Sequence, residues 1–305
     1  MTTTTERLTD LGYATGWNVV RRLPRPVTDA AFGLAADLAA RRQGPGTRQL
    51  RSNLARVVPQ AGPAELDDLV RRGLRSYGRY WQEAFRLPTM DLDEVHRRVD
   101  ATVSGVENLD AAFEAGNGAI LAMTHSGNWD VAGTWLGKHS GTFTTVAERL
   151  KPDSLYDRFV VYRETLGFEI LPADGGAATF RTLLRRLREN RAVVLLCDRD
   201  LSNKGIPVDF FGDRIRIPAG AAKLAATTGA PLLPFTSWFI DDGWGLRVHP
   251  RIRVNGPEEV ASGTQALADV FAGEIATHPA DWHMLQKVWI SDLEPASPAS
   301  TGGAG

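Results

Sequence analysis

Apolar residues recur every three or four positions through the first ninety residues, which is the spacing of one face of an α-helix. One apolar stripe lies within residues 11–23 and a second within residues 30–39, and two prolines separate them. Residues 63–85 form a third helical segment, rich in arginine and aromatic side chains. We therefore predict an N-terminal helical region, residues 1–104, that packs on the rest of the same domain.

From about residue 105 short apolar runs alternate with helical spacing. Residues 118–123 are almost wholly apolar, which is typical of a buried parallel strand. This alternation predicts an α/β fold, with a mostly parallel central sheet and helices on both faces, over residues 105–293. Residues 294–305 are predicted to be a disordered tail. Strands are predicted at 118–123, 143–147, 169–172, 192–197, 231–239 and 245–248, and helices at 129–138, 153–166, 178–190, 218–228 and 264–277.

Composition narrows the class of protein. A single cysteine excludes an internal disulfide framework, and no apolar run reaches about 18 residues, so we predict no transmembrane helix. Residues 1–7 lack the pattern of a secretory signal, so we expect a soluble or peripheral protein.

Residues 1–60 hold nine arginines against four acidic residues. That excess favours an anionic membrane surface over nucleic acid, because no RNA-binding signature accompanies it.

Charged and titratable residues follow three of the predicted strands. Ligands of open α/β sheets bind beyond the carboxyl ends of the strands, so these residues are expected to meet at one edge. The three segments are Thr-His-Ser-Gly-Asn-Trp-Asp at 124–130, Glu148-Arg149, and Asp198-Arg199-Asp200.

His125 and Asp130 are the predicted catalytic pair. Across a strand-to-helix turn that bends at Gly127, the two side chains can meet. A carboxylate on one imidazole nitrogen fixes the tautomer and makes the other nitrogen a general base. The alternative is a buried structural histidine beside an ordinary acid of a first helical turn. The charged strand ends beside the pair favour the catalytic interpretation.

Other common catalytic motifs are absent from the sequence. There is no Gly-x-Ser-x-Gly elbow and no glycine-rich phosphate loop of either common kind. No His-Glu-x-x-His motif or paired His/Cys spacing occurs, so no metal site is predicted. Cys197, at the end of an apolar run, is predicted to be a buried core residue rather than a nucleophile.

Several motifs occur together in a fixed order: His-Ser-Gly-Asn-Trp-Asp at 125–130, Glu-Arg-Leu-Lys-Pro at 148–152, Tyr162-Arg163, Asp198-Arg199-Asp200, Val-Asp-Phe-Phe-Gly at 208–212 and Pro218-Ala219-Gly220. Over roughly residues 105–290 the set closely resembles the bacterial lipid A biosynthesis acyltransferase family, within the glycerolipid acyltransferase superfamily. Further motifs at 9–13, 80–88 and 279–286 are most similar to its branch of actinobacterial phosphatidylinositol mannoside acyltransferases.

The resemblance implies transfer of a fatty acyl group, commonly palmitoyl, from acyl-CoA to a mannose hydroxyl of a phosphatidylinositol mannoside. It implies direct transfer without a covalent acyl-enzyme, with His125 as general base, Asp130 in support and no cofactor. It also implies a peripheral protein at the cytoplasmic face of the plasma membrane. The rival interpretations are a lipid A-type or other glycolipid acyltransferase that uses acyl-carrier protein, and a peripheral lipid-binding protein without turnover.

Glu148, Arg163, Asp198 and Asp200 are candidates for binding the acceptor or for supporting His125, because carboxylates accept from sugar hydroxyls and arginine binds phosphate. The alternative for each is a structural ion-pair network. Arg149 and Arg199 are weaker candidates. For the N-terminal stripe, membrane contact through Trp17 and Tyr13 and packing on the domain are both open. Aromatic candidates for an apolar acyl slot are Trp81, Phe85, Phe210 and Phe211, and packing in the core is at least as strongly favoured for each.

Overall fold

The computed structural model describes residues 16–17, 19–149 and 153–294. Residues 9–13 and the predicted tail from residue 295 onward lie outside the described residues. A first helical stretch, α1, covers residues 16–22 apart from residue 18. Five helices follow before the first strand: α2 (Arg25–Arg42), α3 (Pro45–Val57), α4 (Pro63–Arg86), α5 (Leu92–Asp100) and α6 (Val106–Glu114).

The central sheet has the order β3-β2-β4-β1-β7-β8, and every neighbouring pair is parallel except β7 and β8. The α/β fold class predicted from the sequence is confirmed, whereas the division at residue 105 stays a prediction. The strands are β1 (Ala119–Met123), β2 (Phe143–Ala147), β3 (Phe168–Pro172), β4 (Ala192–Leu196), β7 (Leu232–Ile240) and β8 (Gly243–Val248). The helices that follow β1 are α7 (Trp129–Ser140), α8 (Asp153–Thr165), α9 (Gly176–Arg188), α10 (Gly220–Thr228), α11 (Val260–Thr277) and α12 (Ile290–Leu293).

A separate hairpin, β5 (Ile206–Phe210) and β6 (Asp213–Ile217), was not predicted. Its strands carry exposed charged residues on one side, so they lack the continuous apolar run that marks the buried strands. Phe211 and Gly212, at its turn, both have positive φ, as a two-residue hairpin turn requires.

Helices cover both faces of the sheet, as the alternating strand–helix pattern predicts. Successive strand residues point to opposite faces. Ile120 and Ala122 pack with α9, α10 and α11, whereas Leu121 and Met123 pack with α5 to α8. All five residues of β1 are buried, so this strand lies at the centre of the domain.

The first apolar stripe packs on the domain through Trp17. Its ring is only 7% exposed and contacts Phe85, Phe159 and Tyr162 at centroid distances of 5.2–5.5 Å. The indole N–H donates to the Phe85 carbonyl at 3.1 Å. For Trp17, the structure therefore supports packing on the domain and not contact with a membrane. Among the helices of the described residues, none has both the length and the apolar character that crossing a bilayer requires.

Asn53 on α3 ties the C-terminal segment to the N-terminal helices. Its side chain is fully buried, donates to the carbonyls of Met284 (2.7 Å) and Gln286 (2.9 Å), and accepts from the Trp289 indole (3.0 Å). The same C-terminal segment pairs with the end of β1 through the Trp282–Ser126 bridge. The N-terminal helices therefore hold a segment that reaches the carboxyl edge of the sheet.

We expect Asn53→Ala to lower the free energy of unfolding by about 3 kcal/mol, because it leaves the Met284 carbonyl and the Trp289 indole N–H buried without partners. Chemical denaturation followed by circular dichroism measures the change. Asn255→Ala, which removes exposed hydrogen bonds to Glu259, is the matched control, with an expected loss of about 0.5 kcal/mol. Equal losses in the two variants would contradict the structural role of Asn53.

Candidate active site

A tight turn between β1 and α7 places His125 at the carboxyl edge of the sheet. Gly127, at the bend, has φ +57°, and a Cβ atom there would lie 2.8 Å from the Ser237 backbone. Only glycine fits both the conformation and the space. Asn128 then caps α7, its side-chain oxygen accepting from the Val131 amide at 3.1 Å. The turn is therefore fixed on both sides of the bend.

His125 is bonded to Asp198, the residue that lies two positions beyond β4. The imidazole Nδ1 is 2.7 Å from Asp198 Oδ1, and the His125 backbone N–H donates to Oδ2 at 2.9 Å. The register of β1 and β4 explains the contact: Met123 lies opposite Leu196, and the same offset continued by two residues brings His125 opposite Asp198.

The Asp198 carboxylate is buried and ionised. Burial by itself would raise the pKa of Asp198. The attraction of the His125 imidazolium, when that ring is protonated, and the hydrogen bonds from the His125 ring and backbone and from the Trp282 indole N–H (2.9 Å) outweigh burial and lower that pKa from its ordinary value. Because an ionised carboxylate only accepts hydrogen bonds, His125 Nδ1 carries the proton. Nε2 is then the nitrogen left to act as a base at the cavity that His125 lines.

Asp130, expected to pair with His125, instead contacts Arg163 and Tyr80. Arg163 Nε donates to its carboxylate at 2.8 Å and the Tyr80 hydroxyl donates at 3.1 Å. The predicted contact between Asp130 and His125 is therefore wrong. Asp130 lies in the first turn of α7, against α4 and α8, whereas the Nδ1 side of His125 faces the end of β4.

The ion pair between Asp130 and Arg163 is almost fully enclosed, since 1% of the Asp130 side chain and 19% of Arg163 are exposed. Burial by itself would lower the pKa of the Arg163 guanidinium. The negative charge of Asp130 outweighs burial and raises that pKa. Burial, then the charge of Asp130, raises the pKa of Tyr80 well above its ordinary value, so Tyr80 stays a neutral donor. The three side chains form a rigid charged cluster beside His125.

Glu148 and Asp200 lie at the same edge but do not contact His125. Glu148 is paired with Arg199 at 2.7 Å on the rim of the cavity. Asp200 accepts from the Ser202 amide and hydroxyl and from the Gly205 amide, at 2.6–2.9 Å, which fixes its own loop. Any binding role of these two residues stays a prediction.

A cavity of about 500 Å³ adjoins His125. It reaches both faces of the sheet, because β2 and β4, both fully described, pair at only two positions and then separate. The α9–α10 arm, on one face, is lined by Val146, Phe180, Leu183, Leu195, Cys197, Ala221 and Leu224. The α4–α8 arm, on the other, is lined by Tyr80, Trp81, Trp129, Phe159, Val160 and Arg163.

The two arms differ in polarity. Apart from the Cys197 thiol, every side chain of the α9–α10 arm is hydrocarbon, whereas the α4–α8 arm contains the Arg163 guanidinium and polar aromatic rings. Burial raises the pKa of the Cys197 thiol, so this cysteine is a poor nucleophile. Of the four aromatic candidates for an acyl slot, Trp81 lines the cavity, whereas Phe85, Phe210 and Phe211 pack in the core, which was the alternative for each.

Two functional contacts were not predicted from the sequence. Trp282 donates to Asp198, and the His283 backbone N–H donates to the His125 carbonyl at 2.8 Å. Burial lowers the pKa of His283 to about 3, so this ring stays neutral. Both residues lie in the 279–286 motif, but nothing in the spacing shows that this segment returns to the end of β1. Within the described residues no cluster of three or more potential metal ligands occurs.

The chain is similar to known proteins along nearly its whole length. A family model described as bacterial lipid A biosynthesis acyltransferase matches residues 2–291. A phosphatidylinositol mannoside acyltransferase of Mycolicibacterium smegmatis is 54% identical over 97% of this chain and 96% of its own length. Proteins of the same name from two Mycobacterium tuberculosis strains are 54% and 53% identical over 95% of this chain and 91% of their own lengths. The chain therefore belongs to the bacterial lipid A biosynthesis acyltransferase family.

Proposed function

We propose that this protein transfers a fatty acyl group, palmitoyl in particular, from acyl-CoA to a mannose hydroxyl of a phosphatidylinositol mannoside. The observation that carries the proposal is the His125–Asp198 pair, which leaves Nε2 as a base at the cavity wall. The names of the mycobacterial relatives support the choice of acceptor. The reaction needs no cofactor, and acyl-CoA is the donor substrate.

In the proposed reaction the mannose hydroxyl oxygen attacks the thioester carbonyl carbon while His125 Nε2 takes the hydroxyl proton. The carbon–sulfur bond then breaks, and the imidazolium returns the proton to the leaving thiolate. The products are the acylated mannoside and free CoA. Asp198, ionised and bonded to Nδ1, stabilises the imidazolium between the two steps.

Direct transfer is favoured over a covalent acyl-enzyme because Cys197 and Ser126, the side chains near His125 that could act as nucleophiles, are both buried. The Cys197 thiol is buried and its pKa is raised. The Ser126 hydroxyl is buried and bonded to the Thr124 hydroxyl at 2.8 Å. The acceptor hydroxyl is then the group that His125 activates.

We assign the acceptor sugar to the α4–α8 arm and the acyl chain to the α9–α10 arm. Trp129, which is half-buried and stacks on the buried Tyr80 ring at 3.8 Å, offers an aromatic face for a sugar ring. Arg163, held in place by Asp130, provides hydrogen-bond donors for hydroxyl or phosphate oxygens. In this assignment Asp130 positions Arg163. The hydrocarbon walls of the other arm suit a saturated chain.

Membrane attachment is proposed through the outer face of α2. Val27, Leu34 and Leu38 are 50%, 72% and 43% exposed and share one helical face with Ala30, Ala31 and Ala35. Exposed arginines lie at both ends of the helix, at Arg25, Arg41 and Arg42. An apolar face flanked by cations fits the inner surface of an anionic membrane, to which we assign the protein as a peripheral component.

We expect His125→Ala to reduce acyl transfer by about 10²–10⁴, because general-base catalysis is lost. Mass spectrometry of the products from palmitoyl-CoA and mannosylated phosphoinositides provides the readout, with purified protein as the only other component. His139→Ala, at a histidine that is also paired with an acid, Asp110, is the matched control and retains activity. A His125→Ala variant that keeps more than about a tenth of the wild-type rate would rule out this base.

The rival donor is tested in the same assay by replacing acyl-CoA with acyl-carrier protein that carries the same acyl group. Preferential use of acyl-carrier protein would overturn the proposed donor but not the base. Absence of transfer from either donor, with the wild-type protein folded and bound to lipid, would instead favour a lipid-binding protein without turnover.

The membrane proposal predicts that the double variant Leu34→Glu, Leu38→Glu binds liposomes containing phosphatidylinositol at least about tenfold more weakly, since two apolar contacts are replaced by charges that anionic lipid repels. Liposome flotation measures the bound fraction. Leu293→Glu, at a leucine as exposed as Leu38 near the other end of the chain, is the control and floats like the wild type. Unchanged flotation of the double variant would eliminate α2 as the attachment surface.

A further inference from the structure

Trp17 contacts both helices that form the α4–α8 arm. Its ring packs on Phe85 of α4 and on Phe159 and Tyr162 of α8, with centroid distances of 5.2–5.5 Å, and is only 7% exposed. Trp17 itself does not line the cavity, whereas Phe159 does. The tryptophan therefore lies behind a wall residue of the arm and supports it from outside the cavity.

Hydrogen bonds hold the helix that carries Trp17, α1, against the end of α4. Phe85 lies in the last turn of α4, where carbonyls lack partners within the helix. Its carbonyl accepts from the Trp17 indole at 3.1 Å and from Arg21 Nε at 2.9 Å. Arg86 Nη1 in turn donates to two carbonyls at the C-terminal end of α1, at 2.6 and 3.1 Å. Each helix thus satisfies carbonyls of the other, which fixes the Trp17 ring in place.

One face of α8 joins Trp17 to Arg163. Tyr162 and Arg163 lie three and four residues after Phe159, so the three side chains share a face of the helix. The Arg163 guanidinium lies over the Phe159 ring, with its central carbon 5.9 Å from the ring centroid, which is a cation–π contact. A continuous line of contacts therefore runs from Trp17 through Phe159 to the cation of the α4–α8 arm.

The Arg163 guanidinium is restrained on an edge and on a face. Its Nε and Nη2 atoms donate to Asp130 at 2.8 and 3.5 Å, which fixes one edge. A planar group held at one edge can still tilt about that edge, and the Phe159 ring limits this tilt. Nη1 is the nitrogen turned away from Asp130, so its direction depends on where the Phe159 ring lies.

We propose that Trp17 is a positioning residue for the acceptor: acting through Phe159, it sets the direction in which Arg163 donates to the acceptor glycolipid. This inference rests on the proposed acyltransferase function and on the assignment of the acceptor to the α4–α8 arm. The His125–Asp198 pair is built on β1, β4 and the C-terminal segment. Trp17 therefore affects acceptor binding and leaves the base unchanged.

A purely structural role for Trp17 makes a different prediction. Loss of apolar contacts lowers the fraction of folded protein, which lowers the rate at saturating substrate but leaves the KM of the folded molecules unchanged. Loss of positioning raises KM for the acceptor, because folded molecules then bind the acceptor with a misdirected donor. The two roles are therefore separated by the KM values for the two substrates.

The test measures steady-state transfer from palmitoyl-CoA to a short-chain, water-soluble phosphatidylinositol mannoside, so that membrane attachment does not affect the rate. Trp17→Leu is expected to raise KM for the mannoside about tenfold, which corresponds to the loss of one charge-assisted hydrogen bond. KM for palmitoyl-CoA is expected to stay within about twofold of the wild type. Trp17→Phe keeps a ring against Phe159 and is expected to restore KM for the mannoside to within about threefold.

Phe113→Ala is the matched control, an aromatic deletion on α6 in the same apolar cluster, at a residue that does not line the cavity. It is expected to leave both KM values unchanged. Phe159→Leu removes the ring under the guanidinium and is expected to show the same rise as Trp17→Leu, and a normal KM for the mannoside in this variant would by itself overturn the proposal. Because Trp17 acts through Phe159, the double variant is expected to match Phe159→Leu alone, whereas additive increases would contradict that route.

An unchanged KM for the mannoside in Trp17→Leu, with normal transfer by the wild type, would overturn the positioning role and leave the proposed function intact. If the wild type transfers nothing, the proposed function fails, and the role of Trp17 is tested by titration calorimetry with the same mannoside. A dissociation constant that rises about tenfold in Trp17→Leu and not in Phe113→Ala would support the role. Equal affinities in the three proteins, or no binding by the wild type, would contradict it.

Discussion

The buried carboxylate of Asp198 is the interaction on which the site depends. It accepts hydrogen bonds from the His125 ring, the His125 backbone and the Trp282 indole. These donors come from the end of β1 and from the C-terminal segment, so one charged group joins both to the end of β4. An unpaired carboxylate at 1% exposure would be strongly destabilising, and each donor is therefore needed for the fold as well as for the chemistry.

A second buried carboxylate, Asp130, lies close by with different partners. Asp198 fixes the histidine, whereas Asp130 fixes Arg163 and accepts from Tyr80. The separation allows the base and the neighbouring cation to be held independently. It also explains how one cavity has a hydrocarbon arm and a polar arm, since the fixed cation lies only on the α4–α8 side.

Much of the fold could be predicted from the sequence. The apolar runs at β1 and β4 are continuous because both faces of these strands are covered, and this pattern is readable without a structure. The β5–β6 hairpin was not predicted because Asp209, Arg214 and Arg216 interrupt its apolar positions. Its buried residues pack under α11 and the C-terminal segment, a long-range contact that local patterns do not show.

The site was predicted less completely, for a physical reason. Sequence spacing places two carboxylates, Asp130 and Asp198, within reach of the sheet edge where His125 lies. Which of them bonds to the imidazole depends on β1 and β4 being neighbours in register, and strand order is set by the packing of the whole domain. Trp282 was missed for the same reason, because its segment returns to the site through long-range contacts such as those with Asn53 and Ser126. Phe210 and Phe211 pack in the apolar cluster and do not line the cavity, which is one of the two interpretations that their sequence left open.

The protonation of His125, read by nitrogen-15 NMR of protein labelled at histidine, tests the central claim most directly. We predict that in the neutral imidazole Nδ1 carries the proton and Nε2 does not, that Asp130→Asn leaves this tautomer unchanged, and that Asp198→Asn alters it. A His125→Gln sample identifies the signal. A neutral imidazole protonated on Nε2 in the wild type, or a tautomer that depends on Asp130 and not on Asp198, would contradict this pairing.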